Sequence, residues 1–431
     1  MNFRIGTRIA RWWRLALVGV FGLAGLQGVP ATAAELGADL QGLLEHARAQ
    51  HPELAAMRME ADAAAQRVQP AGALPDPMFR MELEDIGNST TTGKWSLLPS
   101  KVGDTKYTLL QALPAWGKRD ARREVAEADV QQATARFDAT WNELSARIKT
   151  AYAQYYGVQG SEQLTLEVVD LMSRLEQIAQ ARYAGSLVTQ QDALRAQLEL
   201  TAMRSELIAL DNEKRQLRAR LNGLLAREGT APLANPQSLR QLPPASALDV
   251  GTLVQRARAN NPLMMVEEAR VRGAQSTREL ALRNRYPDLL VGVSPMQMGS
   301  RIANWSLMFE LNIPLQQSTR SAQEREADLM IDAARSRTQA LANQLLGELG
   351  ENLAGIDAAR RTEALITTQL LPQSELTLRS ALAAYENGKA DFATLLEAQR
   401  QIRKARQDRL KLQVEAQMRL AEIERIVGDA L

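Results

Sequence analysis

The chain contains the same order of short proline motifs twice. Each copy has an early proline, a Pro-Asp pair ahead of a short alternating segment, and a proline behind that segment. Corresponding motifs lie roughly 200 residues apart, and this spacing indicates a duplicated unit whose copies differ only in loop length. The matching positions are Pro52 and Pro262, Pro75 and Pro287, and Pro114 and Pro314.

We predict that residues 34–248 and 249–431 form two structural repeats. Each repeat is expected to contain a helix, a β-hairpin, a long helix and a shorter helix. The chain would then be mainly α with a small β part, a combination of period-2 strands and very long helices that few architectures need.

The first 33 residues have the pattern of a secretory signal peptide. Four arginines and no acidic residue precede the apolar segment 15–26, which is shorter than the roughly 20 residues of a membrane-spanning helix. The small residues 31–33 predict cleavage after Ala33, give or take one residue. A retained membrane anchor is the alternative, which the short apolar segment disfavours.

The composition excludes several classes of function. The chain has no cysteine, which rules out disulfides, thiolate metal sites and a cysteine-linked lipid. Its 52 basic residues balance 50 acidic ones, and we predict no nucleic-acid partner. The sequence has no Gly-rich phosphate loop, no His-Glu zinc motif and no carboxylate cluster, so we predict no enzyme, cofactor or bound metal.

Two segments show helical periodicity far beyond the length of an ordinary globular helix. They are residues 117–182 and 318–371, and neither contains a proline. Apolar residues recur three and four positions apart, as at Leu164, Val168 and Leu171, which gives a narrow seam. At about 1.5 Å per residue, the first helix would extend close to 100 Å. We expect a solvated wall with coiled-coil-like packing.

Four short segments alternate apolar and polar residues and predict strands. The connecting loops would span residues 87–104 and 295–303. The predicted strands lie near residues 78–86, 105–113, 288–294 and 304–313.

These strands would have one apolar and one polar face, which is typical of outer-membrane β-barrels. Four strands cannot close a barrel, since the smallest have about eight, so only an oligomer could form one. The alternative is that each hairpin caps a soluble helical domain. The apolar face would carry Phe79, Tyr107, Trp305 and Phe309, and the polar face Glu82, Glu84 and Glu310.

The most specific motifs lie at the ends of the long helices. The segment 182–185, Arg-Tyr-Ala-Gly, is matched by the segment 385–388, Tyr-Glu-Asn-Gly. These motifs and the order of helices and hairpins resemble the TolC family of outer-membrane efflux channels. The resemblance covers essentially the whole mature chain. The resemblance implies a homotrimer, with twelve pooled strands in one transmembrane barrel and an α-helical barrel that forms a tunnel through the periplasm.

The resemblance also implies partners. These are a periplasmic adaptor, an inner-membrane pump of the resistance-nodulation-division (RND) type, and outer-membrane lipids. Residues 74–77 and 113–117 resemble the metal-efflux branch more than the multidrug branch, which favours a passive exit duct for heavy-metal cations. The alternatives are a multidrug or protein-secretion channel, and a periplasmic adaptor or scaffold with a helical hairpin.

In similar proteins, a tyrosine of one inner turn bonds an aspartate of the other turn and keeps the tunnel closed. The matching residues are Tyr385 and Asp192, and Glu397 matches one position of an acidic ring at the opening. The alternative is that Asp192 caps its helix.

Two departures from the family pattern predict a gate that is built differently. The arginine that shares the link is replaced by Ala390, with Lys389 beside it. The second ring acid is replaced by Thr394, with Asp391 three residues earlier. The helix-tip turns, by resemblance, would receive the adaptor. They include Arg182, Tyr183, Gly185, Ser186, Asn387 and Gly388.

Methionines on the predicted hairpins admit two interpretations. Their thioethers could bind a soft ion such as Cu(I) or Ag(I). Methionine near lipid is more often apolar filler, which is the interpretation we favour. The residues are Met78, Met81, Met296 and Met298.

Overall fold

The computed structural model describes residues 36–87, 93, 95–185 and 189–431, so the predicted signal peptide and Ser186 lie outside the described residues. The protein is mainly helical, with one small sheet. The helices are α1 (Leu40–Gln50), α2 (Pro52–Gly72), α3 (Lys118–Ala184), α4 (Gln190–Leu224), α5 (Val250–Asn260), α6 (Pro262–Arg283), α7 (Gln317–Leu365), α8 (Leu371–Glu386) and α9 (Phe392–Val427). The strands are β1 (Met78–Glu84), β2 (Asp104–Leu113), β3 (Asp288–Met298) and β4 (Arg301–Asn312).

The two halves of the chain begin with similar local structure. The carboxylates of Asp39 and Asp249 cap α1 and α5 by accepting hydrogen bonds from backbone N–H groups. Pro52 and Pro262 begin α2 and α6, where the missing N–H of proline leaves no helical bond unmade. A hairpin and two further helical segments follow in each half. The division of the chain at residue 248 stays a prediction.

The long helices extend further than the sequence pattern predicts. α3 has 67 residues, which corresponds to about 100 Å. The second long helix is predicted to end at residue 371, but a π-helical segment, Ile366–Leu370, joins α7 to α8 and the helix continues to Glu386. Pro372 lies in the first turn after this segment, where the changed hydrogen-bond pattern tolerates its missing N–H.

The strands form one antiparallel sheet in the order β1-β2-β3-β4. The loop predicted for residues 295–303 is wrong, because β3 continues to Met298 and a two-residue turn leads into β4. Gly299 in this turn has a φ of +61°, which glycine adopts readily and short hairpin turns require. Pro295 interrupts the pairing of β3 with β2 only locally, since it lacks a single N–H group.

The register confirms that the sheet has one apolar and one polar face. The rings of Phe79 and Tyr107 stack on the apolar face, with centroids 6.4 Å apart. On the polar face, the hydroxyl of Ser294 donates a hydrogen bond to that of Thr108 (2.9 Å). The apolar face carries Phe79, Tyr107, Leu109, Val293, Trp305, Leu307 and Phe309. The polar face carries Arg80, Glu82, Glu84, Lys106, Thr108, Ser294, Ser306 and Glu310.

The helices pack side by side and extend from the sheet, and we call this assembly of helices the wall. The wall has two free edges. α3 packs against α2 and α6 near the sheet and against α4 and α9 further away. α7 packs against α6 and α9, and α8 packs against α9. Within the described ranges, α2, β1 and α4 therefore form one edge, and α7, α8 and β4 form the other. No helix in these ranges is long and apolar enough to cross a membrane.

Candidate gate at the helical tip

The tip of the wall consists of the two turns at the ends of the long helices. After α3, the N–H of Gly185 donates to the carbonyl oxygen of Ala181 (3.1 Å). After α8, Gly388 has a φ of +68° and its N–H donates to the carbonyl oxygen of Tyr385 (3.0 Å). This left-handed conformation favours glycine at the end of a helix. The described turn residues Tyr183, Gly185, Asn387 and Gly388 are all exposed.

An apolar core lies behind the two turns. Tyr385 is 2% exposed and Phe392 is fully buried, and their rings meet edge to face with centroids 5.7 Å apart. Both rings pack among side chains from four helices, so this core holds the two helix pairs of one protomer together. Its other members include Met172, Leu175, Ala196, Leu200, Leu395 and Leu396.

Arg182 links the first turn to the second. Its guanidinium lies 5.0 Å from the centre of the Tyr385 ring and donates a hydrogen bond to the Tyr385 carbonyl oxygen (2.7 Å). The family pattern places the arginine of the gate at Ala390, in the second turn. In this structure the guanidinium of Arg182, at the first turn, contacts Tyr385 instead. The role of Arg182 in adaptor docking stays a prediction.

The predicted hydrogen bond between Tyr385 and Asp192 is not formed in this structure. The Tyr385 hydroxyl is buried, and no described residue bonds to it. Burial raises the pKa of Tyr385, the positive charge of Arg182 opposes the rise and the negative charge of Asp192 adds to it. Asp192 is the third residue of α4 and Thr189 precedes the helix, so the interpretation of Asp192 as the N-cap is wrong.

The cap is found at Asp391 instead. Its carboxylate accepts a hydrogen bond from the N–H of Thr394 (2.9 Å) at the start of α9. Hydrogen bonds from the side chain and backbone of Thr394 lower the pKa of Asp391. Lys389 and Glu397 are exposed, and a Glu397 carboxylate oxygen accepts a hydrogen bond from Gln401 (3.2 Å).

Above the tip, three arginines of α9 form ion pairs with the other helices, and we call them the arginine ladder (Arg400, Arg403 and Arg406). Arg400 contacts Glu199 of α4 (2.6 Å), whose side chain is only 7% exposed. Arg403 contacts Glu206 of α4 (2.7 Å). Arg406 lies 3.2 Å from Glu167 of α3 and 3.8 Å from Glu375 of α8.

Arg400 and Arg403 therefore tie α9 to α4 by side chains alone. α4 and α9 both pack on α3 and have little direct backbone contact with each other. Long arginine side chains can bridge such a gap while their guanidinium groups bind carboxylates in a planar fork.

A comparison with known protein families shows to which family the chain belongs. The model of the family described as outer membrane efflux protein matches residues 43–227 and 253–429. The chain belongs to this family. Channels of the family are non-enzymatic ducts in the outer membrane that extend into the periplasm, and they work with an adaptor and an inner-membrane pump. No curated protein sequence matches this efflux channel significantly.

Solved structures share the fold of this efflux channel. The outer-membrane channel OprN is 20% identical, with a TM-score of 0.76, over 91% of this chain and 90% of OprN. VceC of Vibrio cholerae is 16% identical, with a TM-score of 0.76, over 91% and 96% of the two chains. CusC is 15% identical, with a TM-score of 0.76, over 91% and 92%. These likenesses concern the fold alone.

The arginine ladder of this efflux channel is not predicted in the sequence analysis, although the spacing of its charged residues indicates it. The arginines of the ladder recur every three residues beside the apolar seam of α9. Their partners Glu199 and Glu206 are seven residues apart, which returns to the same face of α4. Charges on an apolar-seam helix usually face solvent, and only the packing of α4 and α9 on the same helix reveals the pairs.

Proposed function

We propose that three copies of this channel close into one duct, with twelve strands in the outer membrane and the helices in the periplasm. The observation that carries the proposal is the pair of unlike free edges, β1 and β4, on a sheet with one apolar face. An edge in lipid leaves backbone groups without partners, and pairing of β1 with β4 of the next copy removes every edge. A head-to-tail contact of this kind generates a ring when the rotation closes.

The helical edges support the same assembly. Exposed apolar side chains follow each edge below the sheet, and a second copy would cover both rows at once. Such rows are unusual on the surface of a soluble monomer. The row on α4 includes Leu194, Leu198 and Ile208, and the row from α7 to α8 includes Leu365, Leu370 and Leu376.

We propose that the tip is the gate of this duct. Arg182, Tyr385 and the arginine ladder hold the helix pairs of one protomer together, with Asp192 near the buried tyrosine. Docking of a periplasmic adaptor on the exposed turns would spread the pairs. Lys389, Asp391 and Glu397 line the exposed end of the second pair, where the carboxylates of three copies would attract cations. Ser186 belongs to the same proposed docking turns.

We propose heavy-metal cations as the exported substrate, passed on by a pump of the RND type. The support is the resemblance of residues 74–77 and 113–117 to the metal branch, together with methionines on the polar face of the sheet. The filler interpretation applies to methionines near lipid, whereas the register places these on the polar face, where their thioethers would be ligands for soft cations. The methionines on this face are Met78, Met296, Met298 and Met308, and Met81 lies on the other.

The substrate is tested in a strain that lacks the channel. We expect the deletion to lower tolerance of heavy-metal salts more than tolerance of organic drugs, and plasmid-borne wild type to restore it. Loss of drug tolerance alone would establish the multidrug alternative. Unchanged tolerance of both would favour protein secretion. We also propose that residues 1–33 are removed during export, which the N-terminal sequence of the purified protein would show.

A further inference from the structure

The two hairpins of the sheet differ at the end that lies away from the helices. β3 and β4 are joined by a turn of two residues, whereas residues 85–103 connect β1 to β2. We call the described part at the end of this connection the rim loop (residues 95–103). It carries three large apolar side chains that are mostly exposed. They are Trp95 (74%), Leu97 (65%) and Leu98 (56%).

The rim loop is a folded segment that is attached to the hairpin. The N–H of Ser96 donates to the carbonyl oxygen of Ile86 (2.9 Å), and the N–H of Gly103 donates to that of Asp85 (3.2 Å). Inside the loop, the N–H groups of Lys101 and Val102 both donate to the carbonyl oxygen of Leu98. Val102 is 3% exposed. The loop therefore holds its exposed apolar side chains in a defined position.

The rim loop contacts the apolar face of the sheet at the start of β2. The hydroxyl of Thr105 donates to the carbonyl oxygen of Pro99 (3.3 Å), and Thr105 is fully buried. Thr105 pairs with Leu83 and Gln297, and side chains alternate along a strand. Thr105 consequently shares a face with Tyr107 rather than with the polar Thr108. This is the apolar face, which carries the exposed aromatic residues.

We propose that the rim loop is a lipid-binding flap at the outer rim of the channel. Trp95, Leu97 and Leu98 would enter the boundary between acyl chains and headgroups of the outer leaflet. The loop extends the apolar face beyond the ends of β1 and β2, on the side away from the periplasmic helices, so the apolar surface is continuous. Tryptophan is favoured at this depth of a membrane. The proposal rests on the proposed barrel, whose outer face meets lipid.

The tryptophans of the chain allow a direct test. In the described part of the chain they are Trp95, Trp116, Trp141 and Trp305, and Trp95 alone would remain after replacing the other three with phenylalanine. The variant is reconstituted into vesicles of phosphatidylcholine brominated near the headgroup end of its acyl chains. We expect the ratio of quenching by bromolipid to quenching by aqueous iodide to be several-fold higher for Trp95 than for Trp141.

Two matched variants separate this proposal from the barrel on which it rests. A chain with Trp305 alone reports the sheet, and a chain with Trp141 alone reports a helix, where that ring lies against Arg48. Bromolipid quenching of Trp305 but not of Trp95 overturns the flap and leaves the barrel intact. Failure to quench Trp305 overturns the barrel itself. A Trp95 that neither reagent quenches is covered by a neighbouring copy, and this result also overturns the flap.

Discussion

The sheet and the helical tip differ in whether one protomer supplies the partners for their backbone and side-chain groups. At the sheet, β1 and β4 each have one edge that no described strand of the protomer pairs with, and most of the apolar face is exposed. At the tip, Tyr385 and Phe392 are buried and the arginine ladder is paired inside the same chain. This difference supports the proposals that the sheet is completed by other copies and that closure of the tip begins within each protomer.

The difference follows from the two solvents. In lipid, each unpaired backbone group costs several kcal/mol, so a sheet edge must be covered by another strand. In the aqueous periplasm, helices satisfy their own backbone, and side chains alone decide how closely helix pairs approach. A mutation in the sheet should therefore affect assembly, and a mutation at the tip should affect conduction.

The largest expected effect is that of Leu307→Arg. Leu307 is 70% exposed on the apolar face, and an arginine facing the middle of the bilayer costs roughly 2 to 4 kcal/mol. We expect loss of the heat-resistant oligomer from outer-membrane fractions on gels. Asn304→Arg is the matched control, because it introduces the same side chain on the polar face. Equal loss in both variants would contradict the assignment of the faces.

A second prediction concerns Glu424, which stabilises the wall without involving either region. Its buried carboxylate contacts Lys149 (2.9 Å) and Arg240 (2.9 Å). Burial favours the neutral acid, but the hydrogen bond from Arg240 and the charge of Lys149 outweigh it and hold the pKa of Glu424 below its ordinary 4.5. Glu424→Gln should lower the free energy of unfolding near neutral pH by roughly 1 to 3 kcal/mol.

The pH dependence of Glu424 has a definite sign. A carboxylate with a lowered folded-state pKa stabilises the protein above its unfolded-state pKa of about 4.5. This stabilisation is lost as the pH falls through the lower folded-state value. Chemical denaturation across the acidic range should therefore show a smaller loss of stability for Glu424→Gln than for the wild type. Parallel curves would show that Glu424 is not the titrating group.

The third prediction concerns Arg400→Ala, a substitution that should weaken the tip without affecting the sheet. Arg400→Ala leaves the buried Glu199 without its partner, at a cost of roughly 1 to 2 kcal/mol for a charged hydrogen bond. Arg400 is half exposed, so solvent screens part of this interaction. We expect normal oligomer yield and higher ion conductance in planar bilayers. Arg406→Ala should conduct almost like the wild type, because its ion pairs are exposed. Conductance of Arg400→Ala equal to that of the wild type would show that the arginine ladder is not part of the gate.

The smallest effect is expected from Tyr385→Phe. The tyrosine hydroxyl has no hydrogen-bond partner among the described residues, and the ring contacts survive the substitution. Conductance should change little. Arg182→Ala should raise conductance more, since it removes both the contact with the ring and the hydrogen bond to the Tyr385 carbonyl oxygen. A large effect of Tyr385→Phe would indicate that the hydroxyl bonds Asp192 in the assembled channel.

Periodicity predicts the elements of this fold well and their interruptions poorly. The alternation of residues 304–313 gives β4 and its apolar face, because a strand in a sheet with one apolar face has a period of two. Proline is misleading at two positions. Pro372 does not end its helix, because a π-helical segment precedes it, and Pro295 does not end β3, because pairing resumes beyond it.

The candidate gate is less predictable because its contacts join distant parts of the chain. The pattern of the tip turns identifies Tyr385 and Asp192 as neighbours, and both lie at the tip. It cannot show that Arg182 reaches Tyr385, since both residues come from helix ends in separate halves. Nor can it rank Asp391 above Asp192 as a cap, because the first residue of each helix depends on the turn before it.

The central claim, that open sheet edges are completed by other copies, is tested most directly by the native mass of the particle extracted from the outer membrane in mild detergent. We expect a particle of three chains. A single chain that keeps its mass across detergents and concentrations would contradict completion by other copies, because β1 and β4 would then each expose one unpaired edge to lipid.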